Sequence, residues 1–210
     1  MEKIADVLKD AKRAIDENGF LDLPDRKRIW RCFGDVPTVI QQPNVSITEG
    51  LKRRFALAEL CFKRIIALFK AGAVEYEADG YDEEDFDDFN EVDRILKLAN
   101  RYLNGETGVD ELLEVEERLS VAFSDGAEIP GLTMEILSVA LRDEKLLYCS
   151  DESTKDRDLD FDGWDLAYFA RIYARAVGSD ENIAEKEYWT WYVDEAIPTV
   201  LNAGECGGVL

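Results

Sequence analysis

Apolar residues recur along most of this chain at the three- and four-residue steps of a helix. Ile4, Leu8, Ala11 and Ile15 form a first stripe, which Asn18-Gly19 stops. Pro24 opens a short second helix carrying Ile29, Trp30 and Phe33 as far as Gly34, and an irregular connection with Pro37 and Pro43 follows. From about Thr48 to Gly72 the pattern predicts a long helix. Its inward residues, Leu51, Phe55, Ala58, Phe62, Ile65, Ile66 and Phe69, make a face broad enough for the centre of a fold. Phe86, Phe89, Val92, Ile95, Leu96, Ala99 and Leu103 predict the next helix, stopped by Asn104-Gly105, and Leu112, Val115, Leu119 and Phe123 another. Thr133 reads as the cap of TMEILSVALRDEKLLY. Asp162 reads as the cap of a helix with Trp164, Ala167, Tyr168, Ile172 and Ala176 along one side and Gly178 at its end. In the last helix, NIAEKEYWTWYVDEAIPTVLNAG, Pro198 should produce a kink or an end near Ile197. No hairpin signal or fixed-period repeat competes. The expected fold is all-α: residues 1–210 as a single domain, an antiparallel helical bundle of about seven to nine helices.

Charge changes the picture. The chain carries 46 acidic against 25 basic residues, a formal net charge of −21, and no histidine. Residues 1–72 form a basic section of net +4, with 14 bases and 10 acids, whereas the acidic section 73–210 has net −25, with 11 bases and 36 acids. Such a field repels nucleic-acid phosphates and anionic lipid and speeds encounter with basic partners. Eleven carboxylates lie between Glu75 and Asp93 with no Lys or Arg among them. They crowd the start of a patterned helix, where the macrodipole favours them.

The absence of histidine excludes His-based triads, zincin-type metal sites and the His-containing di-iron bundle motif. Cys32, Cys61, Cys149 and Cys206 form no CxxC pair, and a cysteine nucleophile would lack a histidine base. The N-terminal stretch is amphipathic with no apolar signal core, and no run is long enough to span a bilayer. A soluble cytoplasmic protein with reduced thiols is expected, without nucleic-acid or membrane partners. Its oligomeric state is left open.

Three constellations invite chemistry. DLDFDG places Asp158, Asp160, Asp162 and Gly163 like the opening of a calcium loop, but position 12 is Phe169, which has no oxygen ligand, and position 8 is Asp165. Capping of a helix explains this stretch better. Glu83, Glu84, Asp87 and Asp88, with Glu111, Glu114 and Glu117 on the following helix, imitate the acidic motifs of all-α nucleotide pyrophosphohydrolases. No basic cluster nearby suits a triphosphate, and a solvated face is the simpler reading. Glu195 sits on an aromatic face and is expected to be partly buried and paired with Arg171 or Arg175. Trp189 and Trp191 cannot share one helix face, so one should pack inside while the other covers a groove or anchors a partner. No catalytic residue, metal site or cofactor is assigned.

The stretches RYLNGETGVDELLEVEERL, WDLAYFARIYARAVG and above all EYWTWYVDEAIPTV resemble the helical immunity proteins of bacterial polymorphic toxin systems, the all-α type with a Gly-Glu turn and a late tryptophan. The resemblance covers about residues 94–200 and rests on Gly105, Glu106, Trp164, Trp191, Glu195 and Pro198. The chain departs from relatives that carry histidines in the middle helices. The resemblance implies a non-enzymatic protein that binds and neutralises a cognate toxin domain inside the producing cell. A nuclease-type toxin must be basic to hold phosphates, so an acidic patch can take the place of nucleic acid on it. The candidate contacts are Asp79, Asp82, Glu83, Glu84, Asp85, Asp87 and Asp88, with Tyr81 and Phe86 as apolar anchors. Two other readings stay open: a metal-dependent all-α nucleotide phosphohydrolase, and an acidic DNA mimic that binds many basic proteins.

Overall fold

Helix follows the apolar periodicity closely in the computed structural model, which describes residues 2–34, 47–73, 88–124, 128–141, 147, 151, 153–159 and 164–203. In chain order the elements are α1 (Ile4–Asn18), α2 (Leu23–Cys32), α3 (Glu49–Lys70), α4 (Asp88–Leu103), α5 (Asp110–Ser124) and α6 (Glu128–Ala140). A 3₁₀ turn (Asp156–Asp158), α7 (Leu166–Val177), α8 (Glu181–Trp191), a π turn (Tyr192–Ala196) and α9 (Ile197–Ala203) complete them. There is no strand among the described residues. The fold is all-α.

The expectation that α3 lies at the centre holds. It packs on α4, α6, α7 and α9, and Leu51, Phe55, Leu57, Phe62, Ile65, Ile66 and Phe69 are buried along it. Thr48 starts it by accepting a hydrogen bond from the Leu51 amide at 3.1 Å. One hydrophobic cluster runs from Val7 to Val200 and takes in every described helix. No helix among the described residues is long and apolar enough to cross a membrane.

Two helix starts differ from expectation. Thr133 does not cap α6; the helix begins at Glu128, and Thr133 is buried within it, its hydroxyl bonded to the Ile129 carbonyl at 2.7 Å. Pro130 falls in the first turn, where a missing amide costs nothing, so the helix runs through it. The cap of α7 is Asp165, whose carboxylate accepts from the amides of Ala167 and Tyr168 at 2.8 and 3.1 Å. Asp162, expected in that role, lies outside the described residues with Asp160 and Gly163. The buried face of α7 carries Leu166, Ala167, Phe169 and Ala170, and Ala176 is exposed.

Gly178 ends α7 in an extended conformation that any residue could adopt, yet a Cβ there would stand 2.4 Å from the Cβ of Ala184. The glycine lets α8 fold back against the end of α7. Gly178→Ala should lower stability by about 1–3 kcal/mol through overpacking. Adding Ala184→Gly should recover part of that loss in a urea titration, and no recovery would show that the clash is not the cause.

Candidate interaction surface

The late aromatic segment is built from a capped helix with two unlike sides. Asp180 starts α8 by accepting from the amides of Asn182 and Ile183 at 3.0 and 3.1 Å. The inner side carries Glu185, Tyr188 and Trp189 and continues into Tyr192, Val193 and Ala196. The outer side carries Ile183, Glu187, Trp191 and Glu195, which with Asn182, Lys186 and Thr190 and with Gly19 at the end of α1 line a groove of about 590 Å³. The two tryptophans divide as their spacing requires. Trp189 is 1% exposed, whereas half-buried Trp191 lines the groove, lies 5.6 Å from the Tyr188 ring and has the Arg64 guanidinium 4.5 Å above it.

A change of helical pitch keeps Glu195 on that outer side. In an unbroken α-helix each step of four residues overshoots a full turn by about 40°, so a stripe at 183, 187, 191 and 195 would drift toward the core. In the π turn the Ile197 amide reaches back five residues to the Tyr192 carbonyl, and this wider turn undoes the drift. It ends two residues before Pro198, whose ring has no amide to give. The expected disturbance near Ile197 is therefore a π turn followed by renewed helix.

Ion pairs fix the rim. Lys186 meets Asp16 at 3.3 Å and Lys12 meets Asp194 at 2.6 Å, tying α1 to α8 and to the π turn. Neither Glu187 nor Glu195 has an ion-pair partner among the described residues. Ile183 is 58% exposed, and Phe20, which follows Gly19 in the chain, is 43% exposed. The groove thus offers apolar surface between two free carboxylates.

Beneath it lies a buried charge cluster. Arg26 of α2 is 0% exposed; its Nη1 and Nη2 grip Asp156 at 2.8 and 2.6 Å, its Nη1 reaches the Leu21 carbonyl at 3.0 Å, and Nη2 and Nε also reach Asp165, the latter at 3.1 Å. The guanidinium lies 5.3 Å from the Trp189 ring and 5.9 Å from that of Trp30, whose indole donates to the Tyr192 hydroxyl at 3.0 Å. Burial pushes the Asp156 carboxyl above the usual carboxylate range, against the pull of Arg26. Burial also lifts the Cys61 thiol to about 12, so it stays protonated beneath the Tyr188 hydroxyl.

Several expected residues have other places. Glu195 is exposed and pairs with neither Arg171 nor Arg175. Those arginines hold Glu185 instead: Arg171 Nε lies 2.6 Å from its Oε1 and Arg175 Nη1 3.5 Å from its Oε2. The physical reason is the phase of α8, which points position 185 at α7. Gly105 sits at φ +75° as the left-handed residue after α4, and the amides of Gly105 and Glu106 bond back to the Tyr102 and Arg101 carbonyls at 2.8 and 2.9 Å. Glu106 takes part through its own backbone amide. Trp164 is half-buried just before α7, 4.9 Å from the Tyr168 ring and 5.9 Å from that of Phe169. Asp158 accepts from the Lys155 amide at 3.0 Å, so its carboxylate braces a turn. The acidic run Asp79, Tyr81, Asp82, Glu83, Glu84, Asp85, Phe86 and Asp87 lies outside the described residues, and Asp88 is the first residue of α4.

A protein-family model described as Immunity protein Imm5 matches residues 8–199, reaching much nearer the N-terminus than the motifs around Gly105, Trp191 and Pro198. No curated protein matches the chain.

Proposed function

Since the chain belongs to the Imm5 family of immunity proteins, we propose that it binds a cognate toxin domain and blocks that domain's working surface, making and breaking no bond itself. The toxin is basic, of the kind that cleaves nucleic acid. The observation that carries this reading is the charge: an acidic section of net −25 would be drawn to a surface built to hold phosphates. In this reading Asp79, Asp82, Glu83, Glu84, Asp85, Asp87 and Asp88 steer and contact the toxin, and Tyr81 and Phe86 supply apolar anchors.

The test is co-expression with the toxin domain encoded next to this chain's gene. The unaltered chain should restore growth and co-purify with the toxin. Changing the seven acids of the run to Asn or Gln should slow association at least about tenfold and flatten its dependence on salt. Growth arrest despite full expression, or turnover of nucleotides by the purified chain, would overturn the proposal.

A further inference from the structure

The groove on the outer side of α8 has the chemistry of a docking site, and it lies apart in sequence from the acidic run. We propose that it receives a segment of the toxin in which an apolar side chain is flanked by two cations, Lys or Arg. This rests on the immunity reading above and assigns to it a surface built wholly from described residues. Ile183 and Trp191 supply the apolar floor. Glu187 and Glu195 stand on either side of Trp191, eight residues apart and so about 12 Å along the helix axis.

The neighbouring charges sharpen the fit. Lys12 and Lys186 are each engaged by an acid of this chain, Asp194 and Asp16, so they do not neutralise the two glutamates. An incoming cation beside Glu187 or Glu195 gains a charge-assisted hydrogen bond, while the apolar residue between the cations covers the Trp191 ring. Arg64 already lies over Trp191 and, with Tyr188, holds the ring in place before anything docks. A purely apolar segment would leave both glutamates desolvated without partners, and an acidic one would be repelled.

The groove and the acidic run differ in what they should control. Distant charges act mainly on the rate of encounter, whereas close contacts act on the rate of dissociation. The test measures binding of the co-expressed toxin domain to three purified chains: unaltered, Glu187→Lys/Glu195→Lys, and Glu114→Lys/Glu117→Lys. The last pair lies exposed on α5 and changes net charge by the same amount. Groove reversal should raise the dissociation rate at least about tenfold, and the α5 reversal should change it less than about threefold. Ile183→Ser, at an exposed position, should also speed dissociation while leaving the thermal transition in place. Equal effects of the two reversals, or unchanged dissociation in both groove variants, would overturn the groove while leaving the immunity reading intact. No binding by the unaltered chain would overturn the immunity reading, and the groove's role with it.

Discussion

Replacing Arg26 by methionine is expected to lower the free energy of unfolding by about 3–5 kcal/mol, because it strands two carboxylates inside the protein. Arg26 is the hub that joins α2 to the 3₁₀ turn and to the cap of α7, through Asp156 and Asp165. A domain of this kind has only about 5–15 kcal/mol in hand, so the variant should unfold at a visibly lower urea concentration. The effect carries a pH signature. Burial already holds the Asp156 carboxyl above its ordinary range, and the Arg26 hydrogen bond and charge pull it part of the way back. Without Arg26 it rises further. A carboxyl whose folded value is raised binds a proton in the folded state that the unfolded chain releases, so stability falls as pH rises through that window. The deficit of Arg26→Met should therefore be smaller near about pH 5 than near about pH 8. Urea titrations at the two pH values check this, and a deficit that grows on acidification would show that Asp156 is not the stranded group. Asp156→Asn in the same chain should recover part of the loss, since Asn removes the charge and keeps an oxygen for the Leu23 amide.

Trp189→Ala is expected to cost about 3–5 kcal/mol, the usual loss for a large aromatic in a core. Trp189 is closed in by Tyr188 and Tyr192 at ring distances of 4.9 and 5.6 Å and by the Arg26 guanidinium. Its indole N–H meets no acceptor among the described residues, so Trp189→Phe forfeits no hydrogen bond and should cost only about 1–2 kcal/mol. Trp191→Ala offers the contrast: its ring lines a groove, so the change should cost less stability than Trp189→Ala. Denaturation of all three variants separates the roles. Equal losses at 189 and 191 would remove the distinction between a core tryptophan and a surface one.

Where period and punctuation carry the information, the sequence could be read well. The α3 stripe, the left-handed Gly105 and the division between Trp189 and Trp191 all follow from spacing and local chemistry. Buried charge could not be read in this way. Arg26 and Lys27 stand in LPDRKRIW and look like solvent-facing bases, yet both are buried. What brings them inside is a segment well over a hundred residues away: Asp156 and Asp165 for Arg26, and the Asp151 carbonyl at 3.2 Å for Lys27. Glu195 departs from its expected pairing for a related reason. A constant pitch carried through Tyr192–Ala196 brings position 195 toward the core, and the π turn swings it out. Asn-Ile at 182 and 183, in the first turn after a cap, holds a local hint of the groove: an isoleucine on the side of α8 away from Tyr188.

The π turn also gives this part of the chain a tolerance for one change of length. A π turn holds one residue more than the ordinary turn it replaces, so removing one residue from 192 to 196 would restore ordinary pitch and leave everything beyond it in phase. Val200 would keep its place in the core, and only the outward swing at Glu195 would be lost. Evolution can therefore shed a codon at this corner and redraw the surface without disturbing the body beneath it.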